Sequence, residues 1–191
     1  MHTLILTIAV AVTSQATAEP TGSASQNWPQ WRGPLSTGVA PLGDPPVEWS
    51  EEKNVRWKIE LPGRGHATPI VWGENIFLTA AVPFGPKLQP RKSGRPGAHD
   101  NLAVSQKHRF IALAVDRDSG RVVWQKTLRE ALPKEGAHYT ATLASASPVA
   151  NSEHVFAFFG SHGLFCLDHE GNVVWQKDLG QMHTKHGHGE G

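Results

Sequence analysis

At 191 residues the chain is long enough for one sizeable domain or for part of a larger protein, since a domain takes about 150 residues. Hydrophobic residues make up 39% and charged residues 18%, a composition typical of a soluble globular protein. The net charge of +1 provides no general attraction to nucleic acid or to an anionic membrane, so we expect neither as a partner.

Residues 1–18 have the pattern of a secretory signal peptide. A short apolar run at residues 4–12 precedes Ala16-Thr17-Ala18, which fits a cleavage site. The run is too short to cross a bilayer, and a buried N-terminal strand is the alternative interpretation. Cys166 is the only cysteine, so the chain has no lipid-attachment cysteine after the run and can form no intrachain disulfide. We therefore predict a periplasmic or secreted protein with no transmembrane anchor once the signal is cleaved.

Residues 19–53 are rich in Pro, Gly and Ser and show neither a helical nor a strand period. We interpret this segment as an extended strap that precedes the main folded part, residues 54–191. Its tryptophans, Trp28, Trp31 and Trp49, could form a ligand platform. We favour the alternative, in which they are aromatic anchors that hold the strap against the side of the fold.

Residues 54–61 alternate polar and apolar side chains around Trp57 and read as an outermost strand without a sheet of its own. Two similar hairpin patterns follow, and they open two four-stranded units at about residues 67–128 and 146–179. The first unit is interrupted by an insertion at residues 83–107. Every strand is short and rich in Val, Ile and Phe, and no segment has a convincing amphipathic helical pattern, so the predicted fold class is all-β.

The strongest signal is an internal repeat. Residues 114–124 read as an apolar strand, a tight polar turn and a second strand, and residues 166–175 repeat this pattern with one turn residue fewer. The sequence Val-Val-Trp-Gln-Lys is identical in both copies. One such unit cannot bury its own hydrophobic face, so we expect the units to stack on one another.

Each residue type in the repeat has a structural reason. Asp116 can cap the turn with its carboxylate, Ser119 adds a hydroxyl, and Gly120 can adopt the positive φ that closes the loop. Trp124 and Trp175 follow the two turns at the same strand position. An indole there can wedge between adjacent sheets and donate its N–H to a neighbouring carbonyl. The pattern is therefore predicted to be structural.

The spacing Ala-x-Asp-x-x-Ser-Gly-Arg-x-x-Trp at residues 114–124 resembles the tryptophan-docking motif, Ala-x-Asp-x-x-Thr-Gly-Lys-x-x-Trp, of the pyrroloquinoline-quinone-like (PQQ-like) β-propeller repeat family. This family includes quinoprotein alcohol dehydrogenases and the outer-membrane assembly lipoprotein BamB. The second copy departs from the motif by lacking the Ser/Thr position. The residues assigned to the motif in the two copies are Ala114, Asp116, Ser119, Gly120, Trp124, Asp168, Gly171 and Trp175.

The resemblance implies a partial β-propeller, made of about two four-stranded blades and one closing outer strand. Propellers of this family usually close with about eight blades, which two blades cannot do. The resemblance therefore also implies that the chain is an N-terminal fragment of a longer protein.

The loop lengths predict where binding occurs. In an up-and-down blade, the connections between strands two and three and those between blades lie on one face. The chain has its long loops on that face, and elaborated loops on a rigid scaffold usually carry binding. We expect a protein, a small molecule or a polysaccharide as the ligand, and the candidate residues are Arg64, His66, Arg91, Lys92 and His138. The basic insertion could hold an anionic partner, with a solvated loop as the alternative.

Several histidines lie in these loops. His183, His186 and His188 are spaced as metal ligands can be, and His66 and His138 lie in other loops of the same face. Without a cysteine or carboxylate set of fixed spacing we predict no metal site, and these three histidines are only candidates for one.

Two classes of function are compatible with the resemblance. Quinoprotein dehydrogenases of the family hold PQQ and calcium on the propeller axis, and the cofactor supplies the redox chemistry. Many of them cover the cofactor with a disulfide between adjacent cysteines, which a chain with one cysteine cannot form. We therefore predict no catalytic residue and no bound cofactor, and we favour a non-catalytic exported scaffold for binding or assembly. The alternative is a PQQ-dependent oxidoreductase whose catalytic residues lie in missing blades.

Overall fold

The computed structural model describes residues 24–40, 42–94 and 96–189, and the predicted signal peptide lies outside these ranges. The described residues form two four-stranded antiparallel sheets, each with its strands in chain order. The first sheet contains β1 (Ile70–Trp72), β2 (Asn75–Phe84), β3 (Lys107–Asp116) and β4 (Val122–Ala131). The second contains β5 (Val149–Ala150), β6 (His154–Phe158), β7 (Leu164–Asp168) and β8 (Val173–Lys177).

The helical content of the described residues is limited to two single 3₁₀ turns, Ala24–Gln26 and Gly160–His162. No helix in the described ranges is long and apolar enough to cross a membrane. The predicted all-β class and the partial propeller built of four-stranded antiparallel sheets are therefore confirmed.

Strand β3 is the centre of the packing because both of its faces are buried. Its residues from Phe110 to Val115 are all buried, as expected for a strand with another layer on each side. Alternate side chains point to opposite faces. Phe110 and Ala112 belong to the core shared with the second sheet, whereas Ile111 and Leu113 belong to a separate cluster that Trp57 covers.

The core between the two sheets is aromatic and aliphatic. Phe159, Phe165 and Leu167 from the second sheet and its edge pack against Phe110, and the rings of Phe110 and Phe159 meet edge to face at 5.5 Å. Each fully buried side chain of this size contributes roughly 1.5–3 kcal/mol of hydrophobic stabilisation relative to its exposed state. The two repeats therefore stack as predicted, because each supplies the apolar face that the other must cover.

Both sheets have an irregularity at the same place in the repeat. The register between β3 and β4 shifts between Ala114 and Val115, where Ala114 faces Trp124. The register between β7 and β8 shifts between Cys166 and Leu167, where Cys166 faces Trp175. A β-bulge bends its strand and redirects a side chain, so the repeated bulge presents the tryptophan in the same way in each sheet.

The segment at residues 54–61 differs from its sequence expectation. It forms no strand in the described residues, although an outer strand was predicted there. It is held instead by side chains, because Trp57 and Ile59 cover the second face of the first sheet. An ion pair between Arg56 and Asp118 adds to this attachment.

The strap joins the first strands of both sheets. Trp28 exchanges two backbone hydrogen bonds with Val71, at 3.0 and 2.8 Å, and the carbonyl of Pro29 accepts a bond of 2.8 Å from the amide of Ala150. These bonds come from the backbone of Trp28, whose indole lies over Gly33 of the strap. The interpretation of the tryptophans as aromatic anchors stays a prediction for Trp28. It does not fit Trp31 and Trp49, which are 63% and 77% exposed among the described residues.

Candidate functional site

In the docking motif, the tryptophan of one repeat contacts the hairpin turn of the next repeat. The indole N–H of Trp124 donates to the carbonyl of His169 at 2.8 Å, in the β7–β8 turn. The indole of Trp57 makes the equivalent bond to the carbonyl of Arg117 at 2.9 Å, in the β3–β4 turn. Trp57, which precedes the first repeat, therefore makes the same docking contact as Trp124. Trp175, the tryptophan of the second repeat, is 43% exposed.

The two turns are closed by their aspartates. Asp116 accepts hydrogen bonds from the amide and the hydroxyl of Ser119, at 2.7 and 2.6 Å, and these bonds lower the pKa of its carboxyl group. In the second copy Asn172 replaces the serine: its amide and side chain donate to Asp168 at 2.8 and 2.9 Å, and they lower the pKa of Asp168. Asn172 thus substitutes for the missing Ser/Thr position.

The long connections lie together at one edge of the two sheets. They are residues 62–69, 85–106, 132–148 and 178–189, and we call this edge the long-loop face. At the opposite edge, the connections between strands in the described residues are short hairpin turns, which contact one another through bonds such as Arg117 N–H to Glu74 O at 2.8 Å. The structure therefore separates elaborated loops from tight turns as the sequence predicted.

The insertion at residues 85–106 folds back on itself and against the loop that joins the blades. The backbones of Arg91 and Val104 exchange two hydrogen bonds of 2.9 Å. The guanidinium of Arg91 donates to the carbonyls of Pro133 and Lys134, at 3.1 and 3.2 Å. Arg91 thus serves to hold two loops together, whereas Lys92 is exposed.

A pocket of about 150 Å³ opens between these loops. Its wall includes Arg64, Leu102, Val104, His108, Glu135 and Thr142. The side chain of Glu135 is only 8% exposed, and its carboxylate accepts a hydrogen bond of 2.7 Å from the hydroxyl of Thr184. His183 lies beside the same carboxylate, with 3.7 Å between Nδ1 and Oε1. The pocket is therefore largely apolar with a few fixed polar groups, which is the usual character of a ligand site.

Two histidines lie at this end of the core: the half-buried His108 in the pocket wall and the buried His162. Burial lowers the pKa of His108. Burial, with smaller effects from Lys134, Arg129 and His108, lowers the pKa of His162 to about 4. The ring of His162 stacks on Phe110 at 4.1 Å, so this imidazole is neutral at pH 7 and acts as part of the core.

The other residues predicted for this face do not share one site. Arg64 pairs with Ala81 through the backbone, and its side chain reaches the pocket wall. His66 is exposed, and its backbone amide donates a hydrogen bond to the carbonyl of Ala144 at 3.0 Å. His138 lies in a different part of the face, within a group of histidines.

Four histidines from three loops come together. They are His99 of the insertion, His138 of the loop between the blades, and His186 and His188 of the C-terminal segment. The ring of His188 lies 4.8 Å from that of His99, 5.1 Å from that of His138 and 5.6 Å from that of His186. We call these four residues the histidine cluster. Burial, followed by the neighbouring imidazoles, lowers the pKa of His188.

Backbone bonds hold the loops of the histidine cluster in place. The amide of His138 donates to the carbonyl of His188 at 3.0 Å, and the amide of Tyr139 donates to the carbonyl of Asp100 at 3.0 Å. The side-chain amide of Asn101 donates to the carbonyl of His186 at 3.2 Å. The cluster is therefore supported by main-chain geometry in all three loops.

The sequence predicted this cluster only in part. His186 and His188 were candidates because of their spacing, and His138 was assigned to the same face. His183, the third spacing candidate, contacts Glu135 and does not join the other rings. His99 and its neighbour Asp100 were missed, because no local spacing connects them to residues in the other two loops.

The stacked four-stranded sheets and the tryptophans docked between them define a β-propeller of the PQQ-like repeat class. The chain belongs to the family described as "Outer membrane protein assembly factor BamB", whose sequence model matches residues 43–185, well over half of the chain. A search of curated proteins found no match.

Among solved structures, the chain is similar to a europium-containing methanol dehydrogenase, with 13% sequence identity and a TM-score of 0.29. The match covers 60% of this chain and 24% of that chain. At this identity and TM-score, the similarity carries no argument about chemistry.

The PQQ-like repeat class raises the question of a quinone cofactor. PQQ is a planar molecule with three carboxyl groups, and pockets for ligands of that size typically measure about 300–1,000 Å³. The pocket of the long-loop face is about 150 Å³, which is half of the lower limit of that range or less. The residues described for this pocket therefore do not fit PQQ.

Proposed function

We propose that the protein is an exported, non-catalytic β-propeller scaffold that binds another protein through its long-loop face. The observation that carries this proposal is the segregation of the loops: four long connections lie together on one edge, and short turns form the other. Rigid sheets that present clustered loops are a common arrangement for recognition. The family model, described as that of an assembly factor, supports a protein as the partner.

The side chains exposed on this face suit a protein partner. Leu88, Leu102 and Tyr139 are 43%, 45% and 60% exposed. Aromatic and aliphatic groups of this kind provide the central contacts of protein interfaces, with tyrosine especially favoured. The pocket beside Leu102 is large enough to receive a side chain of the partner.

The proposal includes export and the absence of a cofactor. Cleavage after Ala18 would release a periplasmic or secreted protein that begins at Glu19. N-terminal sequencing of the mature protein tests this part, and a mature chain that still begins at Met1 would contradict it. The absorption spectrum of the purified full-length protein tests the cofactor, because bound quinone absorbance would favour the dehydrogenase alternative.

Site-specific photo-crosslinking tests the binding face. A crosslinker placed at Lys92 or Tyr139 of the full-length protein should capture a partner in the native cell envelope, since both side chains are exposed on the long-loop face. Glu74 and Glu153, which are 70% and 77% exposed in the short turns, are matched controls. We expect a discrete protein adduct from the first pair only.

Equal capture from both pairs would contradict the assignment of the face. A small molecule or polysaccharide ligand would instead leave the long-loop positions without a protein adduct, while ligand addition would protect Lys92 or Tyr139 from chemical modification. That result would contradict the proposal of a protein partner, but it would support the assignment of the long-loop face as the binding face.

A further inference from the structure

We propose that His99, His138, His186 and His188 bind one divalent transition-metal ion of the zinc type. The site is independent of the pocket, and nothing in the proposed scaffold function requires it. Its effect would be to join the three loops of the long-loop face through one ion.

The spacing of the rings fits coordination to a shared ion. Zinc bound tetrahedrally at about 2.0–2.1 Å from each imidazole nitrogen places the ring centres roughly 5 Å apart. The distances from His188 to the other three rings are 4.8, 5.1 and 5.6 Å. His99 lies 6.1 Å from His138 and 6.2 Å from His186, so these rings must move closer to one another to complete a tetrahedral arrangement.

Two nitrogen atoms of the cluster lack a partner within the described residues. His186 Nδ1 and His188 Nε2 are buried, and neither makes a hydrogen bond. A buried polar atom without a partner is costly, and native structures usually provide one. A metal ion would satisfy both nitrogens together, because each can offer it a lone pair.

The other two rings have hydrogen bonds of the kind that orient metal ligands. His138 Nδ1 lies 2.7 Å from the hydroxyl of Thr140, and His99 Nδ1 lies 3.3 Å from the carboxylate of Asp100. The amide of Thr140 also donates to His138 Nδ1 at 3.3 Å, so ion binding requires His138 to give up this bond and to donate its Nδ1–H to the Thr140 hydroxyl. With Nδ1–H donating in both rings, Nε2 of each ring carries the lone pair for the ion. Donation from a metal-bound imidazole to a carboxylate or hydroxyl is the usual supporting contact at such sites.

The donor atoms indicate which ion would bind. Imidazole nitrogen suits zinc, copper and nickel, whereas calcium and magnesium require mainly oxygen ligands. Among the described residues, the side chains whose ligand atoms already lie within 4.8 Å of one another are His99, Asp100 and His138, so His186 and His188 must turn toward them to complete the imidazole set. Four protein ligands leave no open position, which is typical of a structural zinc site rather than a catalytic one.

Metal titration of the full-length protein, purified without a histidine tag and stripped with a chelator, tests this inference. We expect one Zn²⁺ per chain, measured by competition with a zinc-binding dye, and no comparable binding of Ca²⁺. Substitution with Co²⁺ should give the intense visible absorption of a tetrahedral site with nitrogen ligands. Zn²⁺ should also raise the melting temperature.

Variants separate this site from other histidines. His99→Ala and His188→Ala should each weaken Zn²⁺ binding by at least about 100-fold. His66→Ala and His183→Ala are matched controls on the same face, and we expect their Zn²⁺ affinity to stay within about threefold of the unaltered protein. Circular dichroism checks that each variant is folded.

Three results would overturn the inference. They are the absence of stoichiometric Zn²⁺ binding by the unaltered protein, an octahedral Co²⁺ spectrum, and equal loss of affinity in the control variants. The first two need no variant, so the test does not depend on whether a substitution disturbs the fold.

Discussion

The indole ring of Trp124 lies directly over the α-carbon of Gly171. A Cβ atom added at Gly171 would come within 2.6 Å of the ring, closer than real Cβ atoms approach other atoms. The same relationship joins Trp57 to Gly120, also at 2.6 Å. Glycine is therefore required in these turns for two reasons: its φ is positive, at +85° for Gly171 and +73° for Gly120, and the ring occupies the place of a side chain.

We expect Gly171→Ala to destabilise the protein more than a positive φ alone explains. Gly180 has a similar φ of +79°, but a Cβ atom added there would meet nothing within 4 Å, so Gly180→Ala is the matched control. The backbone strain should cost about 1–2 kcal/mol in both variants. Contact with Trp124 should cost Gly171→Ala roughly 1–3 kcal/mol more. Denaturant unfolding measures the difference, and equal losses would show that the indole moves away freely.

We expect Trp124→Ala to lower the free energy of unfolding by roughly 3 kcal/mol, the lower end of the range for truncating a buried aromatic side chain, because Trp124 is partly buried. The indole packs against both inter-sheet clusters and bonds to His169. Trp49→Ala is the control, because Trp49 is 77% exposed and should change stability by no more than about 0.5 kcal/mol. A loss below about 0.5 kcal/mol for Trp124→Ala would contradict its role between the sheets.

We expect stability to fall as the pH drops from 6.5 to 4 because of His162. Its pKa is about 4 in the folded protein, against 6.5 in the unfolded chain, so the unfolded chain binds the extra proton in this window. The loss is complete near pH 4 and amounts to no more than about 3–4 kcal/mol. His162→Phe keeps a ring on Phe110 and should make this pH dependence shallower, and the lowered pKa of His108 accounts for part of the slope that remains.

The matched control for that experiment is His66→Phe, since His66 is exposed and should leave the slope unchanged. Unfolding curves measured with a chelator present keep metal binding out of the comparison. An unchanged slope in His162→Phe would show that other groups cause the acid sensitivity.

We expect the thiol of Cys166 to react slowly with a thiol reagent in the native protein. The residue is 1% exposed in β7, and burial raises the pKa of its thiol, so the reactive thiolate is scarce. Labelling in denaturant should be at least roughly tenfold faster than labelling without it. Equal rates would show that the second sheet opens readily under native conditions.

The sequence alone determined the features that depend on neighbouring residues. The turns at Asp116 and Asp168 and the strands around them follow from local hydrogen bonding and from side-chain alternation, so the two four-stranded sheets could be predicted. The segregation of long loops from short turns also follows from strand order. The domain boundaries and the residues of the binding face remain predictions.

Only the tertiary structure decided which distant residues meet. Residues 54–61 were expected to form an outer strand because they alternate, but in the described residues they form no strand and attach to the first sheet through Trp57. His99 and His188 are far apart in the chain, and their rings lie 4.8 Å apart because three separate loops converge at one edge of the sheets. Local spacing contains no information about such distances, since they depend on how each loop packs against the others.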